Sequence, residues 1–320
     1  MRFGDYYRLP SIEVIMSEYP KPVGIYAPTI TAFNADESLN EKGTRAFVRH
    51  LLDGGVHGLA PMGSAGEFFA LTDEERMQAM EWILDEVNGH VPVYAGTGHY
   101  STRTTIKLSQ HAMKNGATGI LIMPPYLLRP PKQDVLDHFR RVREAVPLPI
   151  MIYDVPILAG VEVTPQEILA LAKEDVIHSV KWSHVEVSRI HDTRLLCGPD
   201  FGVFVGIDII AMEGLAAGGD GYISGLPMMV PRLARKLFET IHDQRDLAAG
   251  RALWDRLLPL VRFEYRALTS DAGQPHWLAV CREAAALRGI PVGTSRMPLR
   301  PLPTGLREEL RKLLQELGEI

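Results

Sequence analysis

The chain has 320 residues, of which 46% are hydrophobic and 23% are charged, a balance typical of a globular protein with a sizeable core. Its net charge of −5 and isoelectric point near 6.1 argue against nucleic acid or an anionic membrane as the main partner. No apolar run reaches the roughly 18 residues that a membrane-spanning helix needs. Two cysteines, Cys197 and Cys281, are too few for a disulfide framework, so we expect a cytoplasmic protein.

Residues 1–21 lack the charged-then-apolar layout of a signal peptide and are predicted to form an arm ahead of the fold. From Val23 onward, short β-branched runs alternate with amphipathic segments. The predicted strands are 24–33, 57–62, 91–96, 119–123, 149–154, 176–182, 202–206 and 221–224. The helices predicted between and after them are 40–53, 73–88, 102–115, 132–145, 165–173, 185–196, 208–217 and 230–243.

Several helix ends carry their own signals. Thr72 and Glu75 have the spacing of a capping box, and Thr164 precedes a proline at the first helical turn. Asn115 and Gly116 are predicted to end a helix, because both tolerate the left-handed conformation.

Eight strand–helix units in about 220 residues predict an α/β fold, a (β/α)8 TIM barrel over residues 22–243. A doubly wound sheet would place a glycine-rich turn after its first strand, where this chain reads FNADESLN. Residues 244–320 are predicted to form a C-terminal helical layer, because the pattern there becomes purely helical, with segments at 246–268, 275–288 and 305–317.

In such a barrel the active site lies where the strands end on their C-terminal side. Candidate site residues lie at or just after the C-terminal ends of five of the predicted strands: Ser64, Tyr153, Lys181, Gly206 with Asp208, and Ile223. They are far apart in sequence, but this fold would bring them to one rim.

Lys181 ends an apolar run, and a lone lysine there most often extends its charged end to water. If the amine is instead held at an apolar rim, its pKa falls and the neutral form can attack ketones. A phenol such as Tyr153 can carry protons, and the Ser64 hydroxyl with the amides of residues 64–66 suits a carboxylate. The residues therefore predict imine chemistry on a 2-oxo acid such as pyruvate.

Each of these residues also has a structural interpretation. Tyr153 alone is explained by packing at the barrel rim, and GSAGE alone by a glycine turn in which Glu67 bonds nearby backbone. GTGHYST lacks phosphate-loop spacing and is predicted to lead to a helix cap at Ser101. The eleven histidines form no HxH or HExxH pair, so no metal site is predicted.

The segments GSAGEFFALTDEER, YDVP, VKW and GGDGYIS, in this order, resemble the dihydrodipicolinate synthase / N-acetylneuraminate lyase superfamily over about residues 22–300. The resemblance implies a Schiff-base-forming class I aldolase on a (β/α)8 barrel, a homotetramer or dimer that needs no metal or organic cofactor. It implies that Lys181 forms the imine and that Tyr153 relays protons. It further implies that Ser64 and the Ala65 amide hold the carboxylate, and that Ile223 supplies a backbone contact.

The chain departs from this pattern where dihydrodipicolinate synthases hold their second substrate. Leu158 replaces an arginine, and leucine cannot bind a carboxylate in a bidentate manner. Leu127 replaces the second tyrosine of a pair that begins at Tyr126, and Ala65 replaces a hydroxyl residue. These changes put the lysine-biosynthetic activity in doubt but leave the imine chemistry intact.

We therefore predict a pyruvate-dependent aldolase, lyase or dehydratase that acts, through a lysine Schiff base, on a 2-oxo acid of the 2-keto-3-deoxy sugar acid type. The distal end of this substrate would meet Asp208, Leu158, Tyr126 and Arg129. Two alternatives remain open: a dihydrodipicolinate synthase that uses another arginine, and a non-catalytic barrel that binds an oxo acid.

Overall fold

The computed structural model of the protein describes residues 18–268 and 276–320, so most of the predicted N-terminal arm lies outside the described residues. The strands in the described part are β1 (Gly24–Pro28), β2 (Gly58–Ala60), β3 (Tyr94–Gly96), β4 (Gly119–Ile122), β5 (Ile150–Asp154), β6 (Ser179–Trp182), β7 (Gly202–Val205) and β8 (Gly221–Tyr222). Each of the eight strands lies inside its predicted run and is shorter than that run, because the ends of the runs belong to the connecting loops.

The strands form one parallel sheet in the order β2-β1-β8-β7-β6-β5-β4-β3. Its two ends meet at an isolated parallel bridge between Leu59 and Val93. There the Leu59 amide donates to the Pro92 carbonyl at 2.9 Å. The sheet therefore forms a (β/α)8 barrel, as predicted.

The helices of the described part are α1 (Glu41–Asp53), α2 (Asp73–Val87), α3 (Thr102–Lys114), α4 (Lys132–Ala145), α5 (Pro156–Ala159), α6 (Pro165–Lys173), α7 (Ser188–Cys197), α8 (Ala211–Ala216), α9 (Leu226–Met229), α10 (Pro231–Phe238), α11 (Leu247–Leu268), α12 (Trp277–Ala286) and α13 (Thr304–Glu316). Among them, none is both long and apolar enough to cross a bilayer. The capping box predicted at Thr72 and Glu75 is present. The cap predicted at Thr164 is also present, and the structure shows that it too forms a capping box, with Glu167.

Two predicted helices differ from the structure. The segment 208–217 begins with a 3₁₀ turn, Asp208–Ile210, before α8, because the Asp208 carboxylate faces the barrel rim and accepts backbone hydrogen bonds there. The segment 230–243 contains α10 and then a π-helical turn, Glu239–Asp243. The helix end predicted at Asn115 and Gly116 is confirmed, since α3 ends at Lys114, Asn115 is its C-cap and Gly116 is left-handed, with φ of 95°.

Apolar side chains fill the space on both sides of the barrel wall. Alternate strand residues point inward, and Tyr26 packs edge-on against Tyr94 and Phe204, with ring centroids 5.7 and 5.2 Å apart. The other strand residues pack outward against the helices, for example Ile25 and Ile152. Because aromatic rings fill the lower interior, the C-terminal rim is the part of the barrel that remains open.

The C-terminal helices are tied to this rim by a buried ion pair. Arg282 on α12 donates from Nε to Oε1 of Glu67 at 3.0 Å, and both side chains are almost fully buried. The same guanidinium donates to the Thr31 carbonyl at 2.6 Å. The expectation that Glu67 bonds nearby backbone was wrong, because its partner lies 215 residues away. The pair holds the loop after β2 against α12.

We expect Glu67→Gln to lower the free energy of unfolding by about 3 kcal/mol, because it leaves the Arg282 charge buried without its partner. The matched control is Glu309→Gln, which breaks an exposed pair with Arg266 and should cost less than about 1 kcal/mol. Urea denaturation measures both changes. Equal losses in the two variants would contradict the structural importance of the buried pair.

Candidate active site

Lys181 lies at the C-terminal end of β6, directly beside Tyr153 on β5 in the strand register. Its side chain is buried, with only 6% of the residue exposed, which excludes the alternative that its charged end extends to water. The nitrogen lies 3.8 Å from the centroid of the Tyr153 ring. Burial lowers the pKa of Lys181, while its interactions with Tyr153 and Asp208 oppose that shift.

The loop after β2 brings Ser64 to the same place. The Ser64 hydroxyl and the Tyr153 hydroxyl lie 3.0 Å apart, within hydrogen-bonding distance. Ser64 begins a 3₁₀ turn, in which the Gly66 amide already donates to the Gly63 carbonyl at 3.0 Å. The expectation that the Gly66 amide binds a carboxylate was therefore wrong. The Ser64 hydroxyl and the amides of Ser64 and Ala65 are the predicted donors that remain.

Asp208 lies at the rim near Lys181, but its carboxylate is already engaged. It accepts hydrogen bonds from the hydroxyls of Tyr222 and Ser224 and from the amides of Gly225 and Leu226, at 2.9 and 2.8 Å for the two amides. Burial raises the pKa of Asp208, and these donors oppose the shift. The structure therefore gives Asp208 a positioning role for the loop after β8.

Gly206 provides close packing beneath Lys181. A Cβ atom there would lie 2.3 Å from the Ser183 Oγ and 2.8 Å from the Trp182 carbonyl oxygen. The Ser183 side chain could rotate away, but the Trp182 oxygen belongs to the backbone, so glycine lets the end of β7 approach the end of β6 this closely. The residue shapes the site through its missing side chain.

These residues surround a cavity of about 440 Å³ at the C-terminal rim. All of the predicted site residues line it except Ile223, Tyr126 and Arg129. Ile223 is fully buried in the inner core, and its amide donates to the Val205 carbonyl at 2.8 Å, so its neighbour Ser224 takes the place at the wall.

Tyr126 was predicted to meet the distal end of the substrate. It instead packs edge-on against Phe68 and His99, with centroid distances of 5.9 and 6.4 Å. Neither Tyr126 nor Arg129 is among the residues that line the cavity. The loop after β4 therefore supports the wall of the site from outside.

The C-terminal helices contribute four lining residues that the sequence did not indicate: Glu264, Tyr265, His276 and Trp277. Burial raises the pKa of Glu264 well above its usual range, and the nearby Asp208 adds to the shift. Its Oε1 accepts from the Cys281 thiol at 3.8 Å, while its Oε2 has no hydrogen-bond partner in the described part of the chain. These residues lie beyond the barrel strands, so strand-end reasoning could not find them.

Across residues 18–268 and 276–320, no group of three or more histidine, cysteine or acidic side chains is arranged to hold a metal ion. Both cysteines are buried and free of disulfides. Independence from a metal or organic cofactor stays a prediction.

A family model described as the dihydrodipicolinate synthetase family matches residues 21–317. A 4-hydroxy-tetrahydrodipicolinate synthase of Nitrobacter hamburgensis is 34% identical over 292 residues, which cover 91% of this chain and 95% of the relative. Escherichia coli YagE, a proposed 2-dehydro-3-deoxy-D-gluconate aldolase, is 35% identical over 303 residues, 92% of this chain and 96% of YagE. The crystal structure of YagE in complex with pyruvate superimposes with a TM-score of 0.85 and 33% identity, covering 93% of this chain and 99% of YagE.

Asp154, next to Tyr153, is a buried carboxyl whose pKa is raised to about 7, first by burial. Its Oδ1 accepts from the Val163 amide at 2.8 Å, and its Oδ2 has no partner among the described residues. Between about pH 4 and 7 the folded protein keeps a proton that the unfolded chain has lost. The free energy of unfolding therefore falls as the pH rises through this interval, by at most about 4 kcal/mol.

We expect Asp154→Asn to flatten this decline, because the amide keeps the bond to Val163 but does not ionise. Urea midpoints measured at pH 5 and pH 8 give the slope. The control Asp53→Asn, at an exposed position on α1, should keep the wild-type slope. A variant at position 154 with the same decline as wild type would show that another group causes it.

Proposed function

The chain belongs to the dihydrodipicolinate synthetase family of Schiff-base, pyruvate-dependent aldolases and lyases, and within it we propose that this protein cleaves a 4-hydroxy-2-oxo acid through an imine on Lys181. The observation that carries the proposal is the enclosed Lys181 amine, 3.8 Å from the centre of the Tyr153 ring on a cavity of about 440 Å³. A nonpolar enclosure favours the neutral, nucleophilic form of the amine.

The proposed reaction begins when the Lys181 nitrogen attacks the C2 carbonyl carbon and the carbonyl oxygen leaves as water. The resulting iminium attracts electrons, so that loss of the C4 hydroxyl proton breaks the C3–C4 bond. The bond electrons move into an enamine, and an aldehyde departs. Protonation at C3 and hydrolysis then release pyruvate and restore the amine.

Tyr153 is placed to move the protons that these steps require. Its ring contacts the amine. Its hydroxyl lies 3.0 Å from the Ser64 hydroxyl, so a proton can be transferred between the two oxygens. We assign Ser64 and the Ala65 amide to the substrate carboxylate, because both lie at the N-terminal end of the 3₁₀ turn that lines the cavity.

The distal part of the substrate is proposed to be uncharged. Among the described residues that line the cavity, Lys181 is the only lysine or arginine, and Leu158 lies at the outer wall. A second carboxylate would therefore lack a cationic partner. This favours 4-hydroxy-2-oxo acids without a second carboxylate over substrates that carry one. The favoured class includes both the 2-keto-3-deoxy acid in the name of YagE and acids with an apolar distal group.

Borohydride reduction in the presence of pyruvate should attach one pyruvate-derived group to Lys181, detected by the mass of the intact chain and of its peptides. The trapping rate should rise with pH with a midpoint below that of an ordinary lysine, because only the neutral amine reacts and burial lowers its pKa. Lys181→Arg should give no adduct, since a guanidinium stays protonated.

A non-catalytic barrel that binds the oxo acid without a covalent bond would gain no mass in this experiment. An adduct on a different lysine would contradict the assignment of Lys181. Self-association as a homotetramer or dimer stays a prediction, and the trapping experiment does not test it.

Tyr153→Phe should lower the rate of pyruvate release by about a hundredfold or more, because the proton relay is lost while the ring remains. The control Tyr100→Phe removes a phenol outside the cavity lining and should keep the wild-type rate. Coupled detection of pyruvate measures both. A Tyr153→Phe enzyme within threefold of wild type would rule out the phenol as the relay.

A further inference from the structure

The cavity is larger than the three-carbon part of the substrate requires. Its volume of about 440 Å³ falls within the range of sites that enclose drug-sized ligands. The imine end occupies the wall formed by Lys181, Tyr153 and Ser64. The remaining space, the outer half of the cavity, must therefore accommodate the distal group that leaves as the aldehyde.

Apolar side chains from four different segments form this outer half. Ile157 and Leu158 come from α5, Val185 from the loop after β6, Ile207 from the loop after β7, and Trp277 from the start of α12. Ile157, Leu158 and Val185 are 86%, 54% and 53% exposed, values that are high for aliphatic side chains beside a binding site. A ligand that covered them would remove apolar surface from water.

The polar groups near the outer half are largely engaged within the protein. The Ser183 hydroxyl donates to the Gly206 carbonyl at 2.8 Å, and the Ser224 hydroxyl donates to Asp208. The His276 Nδ1 accepts the Leu278 amide at 3.3 Å, and burial lowers the pKa of this imidazole. These three groups are therefore already engaged, and substrate hydroxyls held against the aliphatic side chains would have no hydrogen-bond partner there, which is costly.

Two polar lining residues have atoms without hydrogen-bond partners in the described part of the chain, Glu264 at Oε2 and His184 at Nδ1. Both atoms are buried with almost no accessible surface, so neither presents a hydrogen-bonding site to a ligand in the cavity. Glu264 lies behind Gly225, where a Cβ atom would come within 2.8 Å of its Oε2. These atoms therefore do not make the outer half polar.

We propose that the outer half of the cavity binds an aromatic or branched aliphatic group, and that the substrate is a 4-hydroxy-2-oxo acid carrying such a group at C4. The inference rests on the proposed function and adds the chemistry of the leaving aldehyde. For a phenyl group, cleavage of the C3–C4 bond of 4-hydroxy-2-oxo-4-phenylbutanoate yields pyruvate and benzaldehyde. The C4 hydroxyl proton is released and C3 gains a proton, so the reaction needs no oxidant or reductant.

Three substrates that share the same four-carbon head test this proposal on the wild-type enzyme. Their C4 substituents are phenyl, 1,2-dihydroxyethyl and carboxylate. We expect kcat/KM for pyruvate release to be at least tenfold higher with phenyl than with dihydroxyethyl, because only the ring covers the apolar wall. The kcat/KM for the carboxylate substrate should be about a hundredfold or more below that for the phenyl substrate, because the carboxylate has no cationic partner in the cavity. A dihydroxyethyl substrate that equals or exceeds the phenyl substrate would overturn the proposal.

Two variants test whether the residues that line the outer half of the cavity cause the substrate preference. Trp277→Ala should lower kcat/KM for the phenyl substrate tenfold or more and for the dihydroxyethyl substrate less than threefold. Leu158→Arg should raise kcat/KM for the carboxylate substrate at least tenfold. The matched control Leu195→Arg, on α7 and 50% exposed, should change none of the three values. Equal losses on all substrates would place the preference elsewhere.

Borohydride trapping separates this inference from the proposed function. If wild-type enzyme forms the pyruvate adduct but does not prefer phenyl, only the distal chemistry is wrong. If no adduct forms on Lys181, the proposed function itself fails, whatever the ranking of substrates.

Discussion

The site depends on keeping one amine out of water. The β5–β6 register puts Lys181 beside Tyr153, and the closed barrel leaves the nitrogen only the rim cavity to face. Burial disfavours the ammonium form, while the phenol and the Asp208 carboxylate return some stability to it. The balance gives an amine that can lose its proton and a neighbouring oxygen that can take part in the transfer.

The loop that carries Ser64 is held by contacts far from the reacting atoms. Glu67 adopts a left-handed conformation, with φ of 54°, and its side chain is fixed by Arg282 from α12. A non-glycine residue in that conformation is strained, and the ion pair with Arg282 stabilises Glu67 in it. The C-terminal helices thus position the hydroxyl that lies next to Tyr153.

The same helices complete the cavity and give it an unequal polarity. Near Lys181 the wall presents a phenol, a hydroxyl and a backbone amide, whereas the outer wall presents aliphatic side chains and Trp277. Burial raises the pKa of Glu264, and the nearby Asp208 charge adds to that shift. Burial also raises the pKa of the Cys281 thiol, with further contributions from Glu264 and Asp208. Their hydrogen-bonding capacity is directed into the protein, which leaves the outer cavity suited to uncharged groups.

The sequence by itself determined the barrel, because alternating strand and helix periodicity with short connections permits few other folds. It also located Lys181, Tyr153 and Ser64, since parallel strands in a barrel bring their C-terminal ends to one rim. Only the tertiary structure placed Tyr126 outside the cavity, paired Glu67 with Arg282, and brought Glu264 and Trp277 to the wall. Those outcomes depend on loop conformations and on contacts between residues that lie far apart in the chain, which no local pattern in the sequence encodes.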